Sequence, residues 1–378
     1  MALHFSRQEL QERRSRTCAQ LNERGLHAIL IFRQESNFYL TGYDTFGYCF
    51  FQCLYLGANG EVTLLTRAPD LRQARHTSDI EDIRVWVDRA GANPAVDLKS
   101  ILQDYDCEGK KIGIEFDAYG LTAYNWRRLE PLLQGFCCYE DASDIVTGLR
   151  VVKSPAEIAY VRKAAVLADD ALDAAREIIA PGAWEGDILA AMHSAIFRGG
   201  GDYPGNEFII GAGEGALLCR YYTGRKHLKD NDQITLEWAG AYRHYHAAMM
   251  RTMIVGHVTD EHRHMRKVAV EALSACEEAL TPGQPLGNVF DAHARIADAN
   301  GLRDHRLNAC GYSLGTTYSP VWMDWPMLYT GNPAIAQPNM VIFLHMIFAN
   351  SDSGNAMTLG HTVLVNDTRC ERLSRQPL

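Results

Sequence analysis

The stretch Lys153-Ser154-Pro155-Ala156-Glu157-Ile158 marks the start of a long helix and, with it, the boundary between two domains. Its serine is a helix N-cap, its proline is favoured at the first helical position, and its glutamate completes a capping box. The Ala-rich residues that follow run without a helix breaker to Pro181-Gly182. The pattern predicts a helix over about 156–179, and it divides the chain into domains of residues 1–150 and 151–378.

Apolar runs predict the remaining elements on both sides of this boundary. In the second domain, helical patterns cover residues 185–197, 261–279 and 286–299, and strand-like runs cover 233–241, 246–255, 341–348 and 362–365. In the first domain, a capping box at Ser6 opens a helix, a second helical pattern covers 121–133, and strand-like runs cover 27–32, 49–56, 61–65 and 111–114. Strands that alternate with helices predict a mixed α/β first domain.

Composition limits the classes of function. The 378 residues suit two domains, and a hydrophobic share of 47% with a charged share of 22% is typical of globular proteins. The net charge of −9 argues against nucleic-acid binding, which needs a basic face. No apolar run approaches the roughly 18–20 residues that cross a bilayer. Ten cysteines without a secretion signal indicate reduced thiols. We therefore expect a cytoplasmic protein with a small-molecule substrate, and neither nucleic acid nor membrane as partner.

Several phrases resemble, in order, segments of the creatinase/prolidase/methionine-aminopeptidase family, whose catalytic domain has the pita-bread fold. They are Lys153–Ile158, Leu236–Ala241 with Arg251-Thr252, Gly311–Gly315, and Gln337–His345 with Leu359–Val365. In the first domain, Asn37–Tyr43 resembles a segment of the family's N-terminal domain. The resemblance implies an α/β creatinase-like N-terminal domain followed by an α+β pita-bread catalytic domain. It also implies a homodimer.

The positions that hold a pair of metal ions in that family are changed here. The family uses two Asp, one His and two Glu, whereas this chain has Glu237, Ala248, Tyr312, His345 and Gly360. Since two hydrolytic metal ions need several anionic oxygens, the pair cannot be held. The resemblance is therefore to the metal-independent branch of creatinase and ectoine hydrolase, with no metal and no other cofactor.

A single ion held by substitute ligands is the alternative. His246 shares a strand face with position 248, so Glu237, His246 and His345 could form a His-His-carboxylate site. His361 follows Gly360 and is expected to point away from the site unless a bulge turns it.

The candidate catalytic residues are Glu237, His345 and Tyr312. A carboxylate on a buried strand has a raised pKa and can act as a base or as a nucleophile. The alternative is a structural carboxylate paired with Arg220 or Arg251. His345 suits acid–base catalysis or the apolar core, and Tyr312 suits a hydrogen bond to developing charge or simple packing.

The candidate substrate-binding residues are Arg220, Trp238, His246, Asp324, Trp325 and Tyr48. Arg220 lies near the family's substrate-contacting histidine, and a one-residue gap leaves that match open between Cys219 and Arg220. The guanidinium suits a substrate carboxylate, and a salt bridge to a protein acid is the alternative.

Aromatic residues crowd the same segments and predict a cage for a cationic or zwitterionic ligand. They are Tyr221, Tyr222, Trp238, Tyr318, Trp322 and Trp325. Asp324 would supply the counter-charge, or it is an ordinary surface aspartate. Phe46 and Tyr48 are expected to reach this cage from the first domain of a second chain.

The expected function is metal-independent hydrolysis of a C–N bond in a small polar nitrogen-containing compound, with Glu237 and His345 as the catalytic pair. One alternative is a lyase similar to dimethylsulfoniopropionate lyase, in which a base removes a proton from a betaine-like substrate and a leaving group departs. The other is a non-catalytic binding protein with the same fold.

Overall fold

A computed structural model describes residues 3–220 and 225–378. The chain divides into two compact units, Met1–Arg150 and Val151–Leu378. Tyr221 and Tyr222 of the expected aromatic cage lie outside the described residues. All ten cysteines are free thiols. In the described part of the chain, no helix combines the length and the apolar character that crossing a membrane requires.

The first unit is a mixed sheet with helices on both faces. Its strands are β1 (Ala28–Ile31), β2 (Cys53–Gly57), β3 (Val62–Arg67), β4 (Asp82–Trp86), β5 (Lys111–Ile114) and β6 (Cys138–Asp141). Its α-helices are α1 (Arg7–Glu23), α2 (Gln34–Thr41), α3 (Leu71–Thr77), α4 (Pro94–Asp104), α5 (Ala123–Leu133) and α6 (Ser143–Arg150). The strand order is β4-β3-β2-β1-β5-β6. Leu30 and Phe32 pack in one apolar cluster, and Ile29 and Ile31 pack in another, so both faces are covered. The expected α/β architecture of this domain is confirmed.

The second unit is built on one antiparallel sheet. Its strands are β7 (Ile209–Ala212), β8 (Asp232–Tyr242), β9 (Tyr245–Val255), β10 (Gly311–Ser313), β11 (Asp324–Met327), β12 (Val341–Asn350), β13 (Asn355–Val365) and β14 (Cys370–Arg372). Its α-helices are α7 (Pro155–Ile178), α8 (Glu185–Arg198), α9 (Asp260–Ala279) and α10 (Gly287–Ala299). The strand order is β11-β10-β12-β13-β9-β8-β7, and β14 pairs with β13. β13 begins at Asn355, earlier than the apolar run from 362 indicates, because its pairing with β12 extends to that residue.

Helix α7 begins at the capping box that the sequence predicts. The Ser154 hydroxyl accepts from the Glu157 backbone N–H at 3.3 Å, and the Glu157 carboxylate accepts from the Ser154 N–H at 2.9 Å. The buried alanines of α7 lie against β8, where a Cβ on Gly240 would stand 2.0 Å from the Ala164 carbonyl oxygen. This contact requires glycine at position 240, and it brings the helix close to the strand that carries Glu237.

The hairpin between β8 and β9 turns on Arg243 and His244. Both residues have positive φ, 50° and 64°, as a two-residue hairpin loop of type I′ requires. Neither residue is the usual Asn or Gly. The turn is held by its neighbours, since the His244 N–H donates to Asp202 at 3.1 Å and the Arg243 guanidinium donates to the Tyr160 hydroxyl at 2.7 Å. The turn sets the register in which Glu237 pairs with Met250.

Helices α9 and α10 cover the other half of the sheet. Leu344 and Met346 of β12 belong to the apolar cluster that these helices form with the sheet. Because side chains alternate along a strand, His345 points to the opposite face. The sheet therefore has one face under helices and one face that carries ionisable groups.

Candidate functional site

Glu237 and His345 lie in one row across the sheet. Glu237 pairs with Met250, Met250 pairs with Gly360, and Gly360 pairs with His345. Residues that pair directly across neighbouring strands point to the same face. The fold therefore places two candidate catalytic side chains on one face of the sheet, although 108 positions separate them in the chain.

The adjacent residues of the same strands point to the helix-covered face. The Trp238 indole N–H donates to the Ala168 carbonyl of α7 at 2.9 Å, and Trp238 is fully buried. His361 hydrogen-bonds to Glu277 of α9. His361 thus points away from the row, as expected, whereas Trp238 packs in the core on the face opposite Glu237 and is not placed for a substrate contact there.

Glu237 is buried, with 7% of the residue exposed. Burial raises its pKa to about 7, although the charge of Arg220 and a hydrogen bond from Tyr312 act to lower it. The carboxyl lines a narrow cavity of about 10 Å³, which is room for about one water molecule. Arg251 does not pair with Glu237, because its Nη1 donates to the Met250 and Gly360 carbonyls at 2.8 and 2.6 Å. A buried carboxyl with this pKa is a suitable general base at neutral pH.

Tyr312 connects Glu237 to His345. Its hydroxyl accepts from the Trp322 indole N–H at 2.9 Å and donates towards Glu237. Its ring centroid lies 5.7 Å from that of His345. Burial, followed by the charge of Glu237, raises the Tyr312 pKa far above its ordinary value, so the phenol stays neutral. The structure brings the three candidate catalytic residues together, with Tyr312 as the common neighbour.

His345 is neutral at physiological pH. Burial, then the neighbouring His293 and Arg220, lower its pKa to about 3. Its Nδ1 is buried without a hydrogen-bond partner among residues 3–220 and 225–378. An unpaired buried nitrogen costs free energy, so a group on a bound molecule that completes this hydrogen bond would be favoured.

His246 is held by other residues. Its Nε2 accepts from the Gly205 N–H at 2.9 Å, and its Nδ1 lies 3.1 Å from the Thr317 hydroxyl. Burial lowers its pKa to about 4. It pairs with Ala241, four positions beyond Glu237 on β8, which is roughly 13 Å along the strand. The alternative metal set of Glu237, His246 and His345 is therefore not assembled.

The residues at the family's metal positions do not fit a metal pair. Ala248 and Gly360 offer no side-chain ligand. A metal-binding phenol must lose its proton, and the raised pKa of Tyr312 opposes this. In the described part of the chain, no group of three or more His, Cys, Asp or Glu side chains is arranged to hold a metal ion.

The other candidate substrate-binding residues are Arg220, Asp324, Trp325 and Tyr48. Arg220 is exposed, and its Nη2 lies 3.9 Å from the Met323 sulfur. Asp324 is half-buried at the start of β11 and accepts from the Trp325 N–H at 2.9 Å, and Trp325 is 53% exposed. Tyr48 belongs to the first unit and is half-buried in the 3-10 turn Gly47–Cys49. Of these residues, Arg220 influences Glu237, because its positive charge acts to lower the pKa of that carboxyl.

A ladder of threonines beside the row was missed by the sequence analysis. The Thr252 hydroxyl lies 3.1 Å from that of Thr235 and 3.0 Å from that of Thr358. Thr235 and Thr358 line the same cavity as Glu237. The sequence feature that could have predicted this contact is the two-residue spacing of Thr235 from Glu237, because residues two apart on a strand point to the same face.

The free energy of unfolding is expected to depend on pH through Glu237. Its folded pKa of about 7 lies above the value of about 4.3 in an unfolded chain. Its stabilising contribution is complete below the unfolded pKa and is lost as the pH rises through 7. Glu237→Gln should therefore gain stability relative to wild type between about pH 5 and about pH 8 in urea denaturation.

A difference between the two proteins that does not change with pH would contradict this assignment. Burial also raises the pKa of Glu115, in the first unit, to about 7. That carboxyl is present in both proteins, so its contribution cancels in the comparison.

Comparison with known proteins gives matches in both units. Residues 159–367 match the Peptidase_M24 family, described as metallopeptidase family M24. Residues 13–152 match the creatinase/prolidase N-terminal domain. An ectoine hydrolase from Halomonas elongata is 26% identical over 394 residues, which span 100% of this chain and 98% of the relative. A Xaa-Pro dipeptidase from Pyrococcus furiosus is 24% identical over 237 residues, which span 63% of this chain and 67% of the relative.

A solved structure supports the same architecture. The crystal structure of a recombinant prolidase from Thermococcus sibiricus superposes with a TM-score of 0.88 at 18% identity and covers 97% of each chain. At this level of identity the likeness concerns the fold alone. Together these matches confirm the expected creatinase-like domain followed by a pita-bread domain.

Proposed function

This chain belongs to metallopeptidase family M24, whose peptidases hydrolyse C–N bonds, and we propose that it cleaves a C–N bond in a small polar nitrogen-containing compound without a metal pair. The observation that carries the proposal is the state of Glu237. Its carboxyl is buried and has a pKa of about 7, and the residue lines a small cavity. The ectoine hydrolase, which aligns over the whole chain, supports a small nitrogen compound as substrate.

The chemistry follows from the charge states of three residues. Near pH 7 a large fraction of Glu237 is ionised and can take a proton from the attacking nucleophile, for which water is the simplest choice. The protonated carboxyl then returns the proton to the departing nitrogen. Tyr312, which keeps its proton, can donate a hydrogen bond to the oxygen that gains charge.

His345 acts as a neutral group in this scheme. A pKa of about 3 excludes a protonated imidazole near pH 7, so His345 does not serve as a cationic acid. Its buried Nδ1 has no hydrogen-bond partner in the described part of the chain, and its ring lies beside that of Tyr312. A substrate atom that reaches this nitrogen would be oriented by the hydrogen bond.

Arg220 supports an anionic or zwitterionic substrate. Its exposed guanidinium is close enough to influence the pKa of both Glu237 and His345. A substrate carboxylate bound by this planar group would be held next to the cavity. The expected cationic cage has less support, because Trp238 packs in the core.

Metal content and chelation test the metal-independent reaction. Purified protein is expected to contain much less than one equivalent of transition metal, and turnover of guanidino, cyclic-amidine and betaine compounds should survive a chelator. The reason is that Ala248 and Gly360 remove ligands that a metal pair requires. Elemental analysis alongside the activity assay provides the measurement. A stoichiometric metal that is lost together with activity would refute the proposed mechanism.

We further propose that the chain works in the cytoplasm as a homodimer. Ten free thiols support a reducing compartment, and the family resemblance supports the dimer. Light scattering during size-exclusion chromatography should give twice the mass of one chain, and a monomer mass would contradict the dimer.

A further inference from the structure

The threonine ladder consists of Thr235 on β8, Thr252 on β9 and Thr358 on β13, and all three residues are buried. Thr252 Oγ1 is the middle atom, 3.1 Å from Thr235 Oγ1 and 3.0 Å from Thr358 Oγ1. The same oxygen accepts from the Thr358 backbone N–H at 2.8 Å. Among the described residues, the Thr235 and Thr358 hydroxyls have no hydrogen-bond partner besides Thr252.

Counting protons shows what the ladder presents at its two ends. A hydroxyl has one proton to donate and two lone pairs with which to accept. Because Thr252 already accepts from a backbone N–H, it can donate to one neighbouring hydroxyl and accept from the other. The neighbour that accepts from Thr252 keeps its own proton, and the neighbour that donates keeps only lone pairs. In either direction, the ladder therefore offers one donor and one acceptor.

Both ends of the ladder line the cavity that Glu237 lines. Its volume of about 10 Å³ suits one water molecule and is too small for a substrate. Apart from Cys219, the other described side chains that line it are apolar. A water there can accept from one threonine, donate to the other and donate its second proton to the Glu237 carboxylate. These are the roughly three hydrogen bonds of a typical buried water, and one lone pair stays free.

We propose that this cavity binds the water that attacks the C–N substrate, and that Thr235 and Thr358 hold this water against Glu237. The inference rests on the proposed function and names the groups that position its nucleophile. The water oxygen forms a bond to the electrophilic carbon while one of its protons moves to Glu237. The C–N bond then breaks, and Glu237 gives that proton to the departing nitrogen. Thr252 is a positioning residue, since it acts through the other two threonines.

The ladder lies next to the row of Glu237 and His345. Thr235 precedes Glu237 by two residues, which is roughly 7 Å along β8. Glu237 is shared by both rows, because it lines the cavity and also accepts a hydrogen bond from Tyr312. The water would therefore lie in one row, while His345 and Tyr312 remain available to the substrate in the other.

Thr235→Val and Thr358→Val test the proposal, since valine has nearly the shape of threonine and lacks its hydroxyl. With any compound that wild type hydrolyses, each variant should lower kcat by about 10- to 10²-fold and change KM by less than about twofold. The water also stabilises ionised Glu237, so its loss should move the acidic limb of the kcat profile up by about one pH unit. Thr235→Ser restores the hydroxyl and should recover most of the turnover.

Thr63→Val is the matched control. Thr63 is a buried strand threonine of the first unit, and its hydroxyl lies 2.9 Å from the Asp82 carboxylate and 2.6 Å from the Tyr105 hydroxyl. Its replacement should lower stability in urea and leave kcat and the pH profile unchanged. If well-folded Thr235→Val and Thr358→Val proteins also keep the wild-type kcat and pH profile, the inference fails and the proposed hydrolysis stands.

A high-resolution crystal structure of the full chain gives a readout that needs no substrate. We expect one water oxygen within about 3.0 Å of Thr235 Oγ1, Thr358 Oγ1 and the Glu237 carboxyl, and its loss when both threonines are changed to valine. A dry cavity in wild type, or a water out of reach of Glu237, would overturn the proposal. If the water is present but no C–N compound is cleaved, the assignment of the water and its base stands and the proposed function fails.

Discussion

Replacing Glu237 by glutamine is expected to lower kcat/KM by about 10²- to 10⁴-fold. Glutamine has nearly the same shape and can still accept a hydrogen bond from Tyr312, but it cannot take up a proton. The residue lies buried beside the cavity with a pKa of about 7, so its proton transfer is the step that the substitution removes. Steady-state kinetics on any compound that wild type turns over provides the measurement.

A matched control is Glu214→Gln, which changes an exposed glutamate in the same unit. It should keep wild-type kinetics, and both variants should keep the wild-type near-ultraviolet circular dichroism spectrum. Near wild-type turnover by a well-folded Glu237→Gln protein would remove Glu237 from the mechanism. Intact ligand binding without turnover in wild type itself would favour the non-catalytic alternative.

Gly240→Ala is expected to reduce the free energy of unfolding by about 3 kcal/mol or more, the range of the most damaging core substitutions. The new Cβ would lie 2.0 Å from the Ala164 carbonyl oxygen and 2.7 Å from the Ala168 backbone nitrogen. Both atoms belong to the backbone of α7, so relief requires the whole helix to move away from β8. Urea denaturation followed by tryptophan fluorescence measures the effect.

Gly215→Ala is the control for this substitution. Position 215 also lies in the second unit, and the nearest atom to its added Cβ is the Lys226 Nζ at 4.0 Å. The expected change is small, with a gain of up to about 1 kcal/mol because the unfolded chain loses freedom. Equal stability of Gly240→Ala and wild type would show that α7 does not approach β8 as closely as these contacts require.

The elements that begin with local signals were predictable from the sequence. The capping box of Ser154 and Glu157 places the start of α7, because both partners lie within one turn. The two long apolar runs that became β8 and β9 predicted that hairpin, including the strand that carries Glu237. The start of β13 was not predictable in this way, since pairing with β12 rather than local pattern extends it to Asn355.

The candidate site was predictable in part. The family resemblance made Glu237, Tyr312 and His345 candidates through their alignment with its metal positions, and the structure brings them into contact through Tyr312. The same reasoning grouped His246 and Trp238 with them, and here it failed. His246 is bound by Gly205 and Thr317, and Trp238 points to α7.

The sequence by itself determined the two-domain fold and which residues stand at the family's metal positions, because caps, apolar runs and the identity of each residue are local properties. Tertiary structure alone decided which face of β8 lies under α7 and how far burial raises the pKa of Glu237. It also decided that Cys219 and Glu237 line one cavity. Strand alternation fixes only that neighbouring residues point to opposite faces. The packing of distant segments decides which face becomes core, and proton affinity follows from that burial.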